Sequence, residues 1–517
     1  MAANSLGLGA LGRGIAMVAC LAALGMLGLH VVRYAGFAAS AVGHPYALDF
    51  GEGIVWQQMA LIPGPRMYGD ITSYPYIVFH YPPLFHLAAR AVAWLGVDAL
   101  AAGRGVSVAA TVVLCLGIFL AARRFAADRG LHGPAALLAC ALGALFPLTM
   151  PSFWFWSALF RTDALALALL LAGFALSVNA RGPDRLSYAG MLCFVLAVYA
   201  KQTAIVAPTA VLAAWLVRDP RHAIRLGLFG LALGLIPLAV LTLATGGGFL
   251  RHILGYNINP FDLRYAYWAV WRLRHQAFGV LLVLMALGWL LWLAVGLLRR
   301  SGLAGMLRGD IASFRLAMLG LYALGATAML AALGKEGASS NYFNEWYCVA
   351  AIAMGMLLAT ALAGAPPGQA GRPIAWRGLA APAAPLLLLA HLATMPAPAL
   401  PGDVTDPAVV RSLDALEQRL RTTEGPVLSD EMVLLMRAGK PVPLESAIFG
   451  ALARVGAWDE RPFVDMLAQR RFAFILTEGN EAGGPYVGRF TPAMRHAIAQ
   501  AYPRRTVFGP YTLHERE

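Results

Sequence analysis

The feature that most constrains this chain is a series of long apolar runs that recur from the N-terminus to about residue 395. As a helix, a run of about 20 apolar residues is long enough to cross the hydrocarbon core of a bilayer. Of the 517 residues, 59% are hydrophobic and only 13% are charged, which is far from the balance of an ordinary soluble protein. Lipid is therefore expected to be the main solvent of this chain.

The apolar runs predict an all-α polytopic membrane domain over residues 1–400, with about eleven transmembrane helices and additional in-plane helices. The first run lacks a clear small-residue cleavage site, so we expect it to remain as the first helix. The predicted spans lie near residues 12–33, 101–122, 134–150, 162–179, 186–200, 203–217, 225–245, 278–298, 315–333, 346–363 and 377–395.

Clusters of arginine indicate the orientation of these spans, because short cytoplasmic loops carry an excess of basic residues. Successive clusters are separated by two spans each time, so they fall on one side of the membrane: Arg123/Arg124/Arg129, Arg181/Arg185, Arg218/Arg221/Arg225, Arg299/Arg300/Arg308 and Arg372/Arg377. The N-terminus is then cytoplasmic, and residues after about 400 lie outside. This distribution also accounts for the net charge of +13 without a nucleic-acid partner.

Two segments bear on the number of spans. Lys201 and Gln202 interrupt the apolar stretch 186–217, and the arginines at both of its ends favour two short crossings joined by a tight turn. The segment 81–97 is short and contains His86 and Arg90, so we predict an amphipathic helix that lies in the plane of the membrane.

The composition changes after the Pro-rich stretch MPAPALPGD, which is typical of a linker. Residues 403–517 have the composition of a small soluble α/β domain. Its helix-like runs are Val409–Arg421, Arg461–Arg470 and Thr491–Tyr502, and its strand-like runs are Val427–Ser429, Phe472–Thr477 and Tyr511–His514.

The predicted outer loops contain nearly all of the unusual polar residues. In the first of them, ALDFGEGIVWQQ places Asp49 and Glu52 on one face of a helix, with Gly51 and Gly53 leaving room for a ligand. Two carboxylates at a membrane surface suit a general base or a metal site. Alternatively, they cap a helix beside the membrane.

Charged residues also stand at the outer ends of later spans. Arg161 and Asp163 open the run FRTDALALAL, and Lys201 with Gln202 occupies the turn AKQTA. A cation in such a position is costly unless it is solvated or paired, which favours a phosphate contact, whereas a helix cap and a snorkelling arginine are the structural alternative. Further candidate substrate-binding residues are His80, Tyr81, Asn257, Glu336, Asn341 and Glu345.

The motifs DFGEG, YPPLFHL, RTDALALAL and AKQTA together resemble the polyprenyl-phosphate-sugar-dependent glycosyltransferases of the GT-C superfamily. Bacterial relatives of this kind include protein O-mannosyltransferase-like proteins and the aminoarabinose transferases that act on lipid A. The resemblance covers about residues 10–360. It implies a GT-C-like membrane fold and transfer of a sugar from a lipid phosphate at the outer face of the membrane. The Ala-, Gly- and Arg-rich composition indicates a bacterial source, so we expect this to be the bacterial cytoplasmic membrane.

The resemblance also implies roles for individual residues. A carboxylate of the first loop, Asp49 or Glu52, would deprotonate or position the acceptor, which is a lipid, a glycan or a protein. Arg161 and Lys201 would bind the phosphate of the polyprenyl-phosphate-linked sugar, and Asp163 would orient Arg161 or the sugar. Phe50 and Gly51 separate the two acidic residues, which leaves open which of them is the base. The scheme requires no separate general acid; the one candidate cofactor is a divalent metal ion, and the sequence leaves open whether it is needed.

Three other functions fit parts of the pattern. A lipid or solute transporter would also place charges in membrane segments, although it commonly shows inverted repeats and a binding site near the midplane. A non-catalytic subunit of an envelope-assembly complex would use the outer domain for binding. A ligase or polymerase of lipid-linked oligosaccharides would rely on residues such as Arg251 and His252 in a large outer loop.

Overall fold

The computed structural model describes residues 2–257, 260–363 and 382–516. Helices dominate the chain as far as residue 394. These helices are α1 Ala2–Gly43, α2 Phe50–Leu61, α3 Leu84–Ala93, α4 Ala99–Ala127, α5 Pro134–Leu145, α6 Pro151–Trp156, α7 Asp163–Asn179, α8 Arg185–Ala200, α9 Val206–Arg218, α10 Pro220–Ala244, α11 Gly248–Leu250, α12 Leu263–Arg272, α13 Ala277–Arg308, α14 Ile311–Met329, α15 Tyr342–Ala363 and α16 Ala383–Thr394.

Among the described residues, six helices are long and apolar enough to cross a membrane. They are Ala10–Gly43, Ala99–Ala127, Pro220–Ala244, Leu263–Arg308, Ile311–Gly334 and Tyr342–Ala363. The shorter predicted spans coincide with apolar helices of 10–17 residues. The predicted number of eleven spans therefore stays a prediction, although each predicted span overlaps a helix. Arg372, Arg377 and the start of the last predicted span lie outside the described residues.

The helices α4, α5, α7 and α15 pack together at the centre of the membrane part. Small residues allow their backbones to approach closely, as expected for helices that associate in lipid. At Gly143 of α5, a Cβ atom would lie 2.7 Å from the backbone nitrogen of Gly355 in α15. The two helices could not keep this separation with a larger residue at position 143.

Both ambiguous segments of the sequence are helical. The apolar stretch 186–217 is broken between Ala200 and Val206, as the polar pair Lys201 and Gln202 predicts. The segment predicted to be an in-plane helix contains α3, which buries Phe85, His86 and Ala89 while Leu87 is exposed. This burial of one face fits an amphipathic helix.

The C-terminal segment, residues 403–516, combines short helices with a sheet of four strands in the order β1-β2-β4-β3. Strands β1 and β2 are parallel, whereas β4 is antiparallel to β2 and to β3. Its elements, with a short helix that starts at Gly402, are α17 Gly402–Thr405, α18 Pro407–Thr422, β1 Leu428–Ser429, α19 Met432–Arg437, α20 Ser446–Arg454, α21 Arg461–Ala468, β2 Phe474–Glu478, α22 Tyr486–Arg489, α23 Pro492–Ala501, β3 Arg504–Phe508 and β4 Tyr511–Glu515.

Each helix and strand predicted in the C-terminal segment is confirmed, with small shifts at the ends. Strand β3 was not predicted. Arg504, Arg505 and Thr506 are exposed on this edge strand, so it lacks the alternation of apolar and polar residues that identifies a half-buried strand.

The C-terminal segment packs directly on the first loop, residues 44–98. The backbone nitrogen of Tyr76 donates a hydrogen bond of 2.9 Å to the carbonyl oxygen of Pro443. The side chain of Tyr76 lies in an aromatic cluster with Phe449, Trp458 and Phe463 of the C-terminal segment. The predicted boundary between two domains at residues 400–403 stays a prediction, but the two parts share a hydrophobic core.

Candidate functional site

Glu52 lies at the centre of a buried network in the first loop. Its carboxylate accepts hydrogen bonds of 2.8 and 2.6 Å from the guanidinium of Arg104, which is itself fully buried in α4. The backbone nitrogens of Leu48 and Phe160 donate two more, at 2.8 and 2.7 Å. Burial alone would raise the pKa of Glu52, but Arg104 and these donors hold the pKa below its usual range. This carboxylate is therefore ionised and has few free acceptor positions.

Asp49 has a different environment three residues earlier. It is the N-cap of α2, and its Oδ1 atom accepts a hydrogen bond of 3.0 Å from the backbone nitrogen of Gly51. The same oxygen lies 3.2 Å from Nη1 of Arg161. The side chain remains 25% exposed. Burial raises the pKa of Asp49 in spite of Arg161, which makes it a stronger base than an exposed aspartate.

Arg161 connects Asp49 to a second group of charges. Its Nη2 atom donates a hydrogen bond of 3.4 Å to the hydroxyl of Tyr81, and its Nε atom lies 4.0 Å from Oδ2 of Asp163. The guanidinium also stands 5.1 Å from the centre of the Trp156 ring, a cation–π contact. Nε has no hydrogen-bond partner among the described residues.

Asp163 in turn is bound by Lys201, which the sequence predicted as a site residue. Nζ of Lys201 donates a hydrogen bond of 2.6 Å to Oδ1 of Asp163, and the amide of Asn341 donates another of 2.7 Å. Burial by itself would lower the pKa of Lys201, but Asp163 outweighs this effect and the pKa rises to about 12. We call the series Asp49, Arg161, Asp163 and Lys201 the ionic chain.

His80 joins several of the other predicted residues. Its carbonyl oxygen accepts hydrogen bonds from the amides of Gln202, at 2.7 Å, and Asn257, at 3.3 Å. Its ring is buried, and burial lowers its pKa to about 3, so the imidazole is neutral at neutral pH. Nδ1 accepts a hydrogen bond of 3.3 Å from the amide nitrogen of Gln58. The remaining hydrogen of the neutral ring is therefore on Nε2.

Three other predicted residues lie elsewhere or have structural partners. Glu336 forms an ion pair of 2.6 Å with Arg454 of the C-terminal segment. Glu345 is in the first turn of α15, and one of its oxygens is buried without a hydrogen-bond partner in the described structure. His252 uses both ring nitrogens on backbone groups: it accepts from the Phe79 nitrogen at 3.0 Å and donates to the Gly69 carbonyl at 2.6 Å.

Sequence reasoning missed Arg104 and Glu445. Arg104 stands near the start of a predicted span. A charged residue inside an apolar run is unusual, and this signal could have identified Arg104 as a candidate. Glu445 of the C-terminal segment is fully buried next to His80, and no local pattern marks it. Burial raises the pKa of Glu445 well above its usual range.

The described residues contain no group of three or more His, Cys, Asp or Glu side chains that could hold a metal ion. Around Asp49 and Asp163, the charged neighbours are instead the cations Arg161 and Lys201. These two carboxylates therefore do not fit a divalent metal site in this arrangement.

Comparisons of sequence gave no relatives: no protein-family model matches the chain, and no curated protein is significantly similar to it. Comparison with solved structures did find similar proteins. ArnT from Cupriavidus metallidurans, solved with bound undecaprenyl phosphate, superimposes with a TM-score of 0.57 at 14% sequence identity. The match covers 95% of this chain and 97% of ArnT.

Structures of the Archaeoglobus fulgidus oligosaccharyltransferase AglB are also similar. The apo form matches with a TM-score of 0.51 and 13% identity over 93% of this chain and 72% of AglB. The complex with an inhibitory peptide and a dolichol-phosphate gives a TM-score of 0.50 and 13% identity over 95% of this chain and 74% of AglB. The resemblance inferred from the sequence motifs is confirmed at the level of fold: the chain shares its architecture with ArnT and AglB.

Proposed function

We propose that this chain is a multi-pass membrane glycosyltransferase of the GT-C type. It transfers a sugar from a polyprenyl-phosphate donor to a hydroxyl group of a lipid, glycan or protein acceptor, at the outer face of a bacterial cytoplasmic membrane. The observation that carries this proposal is the ionic chain, in which Arg161 lies between Asp49 and Asp163 and within reach of Tyr81. The shared fold supports it, because ArnT was solved with undecaprenyl phosphate and AglB with a dolichol-phosphate.

In the proposed reaction Asp49 is the general base. Arg161 and the Gly51 nitrogen both contact Oδ1 of Asp49, and no hydrogen bond from the described residues reaches Oδ2. The acceptor hydroxyl gives its proton to this carboxylate, and its oxygen forms a bond to the anomeric carbon of the sugar. The bond between that carbon and the phosphate oxygen breaks, and the polyprenyl phosphate leaves with the bonding electrons.

The cations of the ionic chain stabilise the leaving phosphate. Arg161 has an unpartnered Nε and a long contact to Tyr81, so it can turn a planar pair of donors toward a phosphate. Lys201 adds a point charge on the other side of Asp163. Asp163 positions both cations. Glu52 takes a structural role in this scheme, because four donors already occupy its carboxylate.

The test is sugar transfer by the purified protein in detergent, with polyprenyl-phosphate-linked sugars as donors and a membrane extract as the source of acceptors. We expect Asp49→Asn to reduce the rate by about 10²-fold or more, because positioned general bases contribute on this order. Asparagine caps helices as well as aspartate does, so this variant keeps α2 intact. Lys201→Ala is expected to weaken donor binding.

The matched control is Asp310→Asn. Asp310 is also an N-cap, which accepts hydrogen bonds of 2.9 Å from Ala312 and Ser313 at the start of α14, away from the ionic chain. It should leave transfer unchanged. Full activity of Asp49→Asn would disprove the assigned base. Absence of transfer by the wild type with every donor, accompanied by movement of the donor lipid across a bilayer, would instead identify a lipid transporter or flippase. If neither is seen, the non-catalytic assembly subunit becomes the better hypothesis.

A further inference from the structure

Among the acidic residues that the structure describes, Glu445 is an exception because both oxygens of its carboxyl group are buried without a hydrogen-bond partner. The residue is 0% exposed, and neither carboxyl oxygen has a hydrogen-bond partner in the described structure. Buried polar groups in folded proteins are nearly always hydrogen-bonded, and burying a carboxyl without a partner is destabilising. An unsatisfied buried group of this kind requires an explanation, and a ligand that completes its hydrogen bonds provides one.

The neighbours of Glu445 belong to the membrane part of the chain. Oε1 of Glu445 lies 3.8 Å from Nδ1 of His80, too far for a hydrogen bond. Nδ1 already accepts from Gln58, and Nε2 of His80 is buried without a partner. His80 therefore has a free N–H donor on Nε2, and the free carboxyl of Glu445 lies against the same ring.

This pair adjoins the proposed phosphate site. Tyr81 directly follows His80 in the chain, and its hydroxyl accepts a hydrogen bond of 3.4 Å from Nη2 of Arg161. The backbone of His80 is also held by Gln202, the neighbour of Lys201. The sugar of a polyprenyl-phosphate donor is bonded directly to the phosphate, so a phosphate held by Arg161 and Lys201 brings the sugar next to Arg161.

The C-terminal segment holds Glu445 in position from both sides. Residues 443 and 444 are anchored to Tyr76 by a backbone hydrogen bond and an isolated bridge, and α20 begins at the next residue, Ser446. The position of Glu445 is thus set by backbone contacts of its neighbours, whereas its carboxyl group has no side-chain partner.

We propose that Glu445 and His80 bind the sugar of the lipid-linked donor, with the C-terminal segment supplying the carboxyl of a site that is otherwise built from the membrane part. This inference rests on the proposed function. Sugar hydroxyl groups both donate and accept hydrogen bonds: one hydroxyl donates to Glu445, and the N–H of His80 donates to a hydroxyl oxygen. The pair selects for a polyhydroxylated group bonded to the phosphate and has no contact with the lipid chain.

The experiment measures binding of two kinds of probe to the full-length protein in detergent. The first is undecaprenyl phosphate, and the second is undecaprenyl phosphate that carries glucose, mannose or aminoarabinose. Wild type should bind at least one sugar-bearing lipid more tightly than undecaprenyl phosphate. In Glu445→Met, which keeps the length of the side chain but cannot accept the hydrogen bond, this preference should fall about tenfold, while the affinity for undecaprenyl phosphate is unchanged. His80→Ala should reduce the same preference.

Glu417→Met is the matched control. Glu417 is a buried carboxylate of the C-terminal segment with its own partners, Arg437 at 2.9 Å and Arg421 at 2.6 Å. It should lower the melting temperature without changing the preference for the sugar. Glu445→Met should melt at or above the wild-type temperature in the absence of ligand, because it replaces an unpartnered buried acid with an apolar side chain.

The possible results separate the two proposals. If the wild type transfers sugar and both Glu445→Met and His80→Ala keep the wild-type preference, the inference is wrong and the proposed function stands. A wild type that binds undecaprenyl phosphate without preferring any of the three sugars also overturns the inference. If the wild type neither transfers sugar nor binds any of these lipids, the proposed function fails, and the inference fails with it.

Discussion

At the scale of single residues, the acidic groups near the site differ in how many donors reach them. Glu52 accepts four hydrogen bonds, Asp49 accepts two on a single oxygen, and Glu445 accepts none within the described structure. A carboxylate saturated with donors is a weak base, whereas a partly buried one with a free oxygen is a stronger base. The same chemical group can therefore be a structural anchor, a base or a ligand contact.

Glu431 allows a test of these environments by pH. Burial is the main cause that raises its pKa to about 7, and its Oε2 atom accepts a hydrogen bond of 2.8 Å from the hydroxyl of Tyr511. An unfolded glutamate titrates near pH 4.3. Between about pH 4.3 and 7 the folded protein thus holds a proton that the unfolded chain releases, so the contribution of Glu431 to stability decreases as the pH rises through this window.

We expect the melting temperature of wild type, relative to Glu431→Gln, to decrease between pH 5 and pH 8. Glutamine is neutral and can still accept the bond from Tyr511, so it lacks this dependence. Thermal melts in detergent at several pH values measure the difference. Glu424→Gln, an exposed position of the same segment, serves as the control. A difference that is constant with pH would show that Glu431 is ionised in the folded protein.

At the scale of secondary-structure elements, close helix contacts shape the membrane part. α5 and α15 meet at Gly143 and Gly355, with backbone atoms near the position of a missing Cβ. α15 follows directly on the loop that brings Asn341 to Asp163. By contrast, α10 has few buried residues, and Gly234 in its middle has open space around it.

Alanine at these two glycines should have opposite effects. Gly143→Ala would force α5 and α15 apart, and overpacking of this kind costs about 1–3 kcal/mol. Gly234→Ala meets no neighbour and should be neutral or stabilising, because alanine favours a helix over glycine by up to about 1 kcal/mol. Melting temperatures in detergent distinguish the two variants. Equal effects would mean that α5 and α15 do not approach each other as described.

At the scale of the whole molecule, the C-terminal segment is part of the folded unit. Met432 lies so close to Gly53 of α2 that a Cβ at position 53 would meet its side chain at 2.6 Å. The guanidinium of Arg489 stands 3.7 Å from the centre of the Phe50 ring, next to Asp49. The Pro-rich stretch 395–401 is then a covalent connection between two parts that also bind each other.

A protease site inserted between Pro398 and Ala399 tests this arrangement. After cleavage we expect the two fragments to migrate together in size-exclusion chromatography, because the buried apolar contacts around Tyr76 remain. Addition of Tyr76→Ser should weaken this association. Spontaneous separation of the wild-type fragments after cleavage would show that the C-terminal segment is a tethered module.

The sequence by itself determined the class of the protein and most of its helices and strands, because hydropathy, periodicity and chain-breaking residues act locally. The break between α8 and α9 and the positions of three strands are examples. It also singled out the members of the ionic chain. Only the tertiary structure decided which groups face each other: Arg104 binds Glu52 across 52 positions, and Arg161 binds Asp49 across 112. Glu445 reaches His80 only because the C-terminal segment packs on the first loop. Such contacts depend on packing between distant elements, for which a local pattern carries no signal.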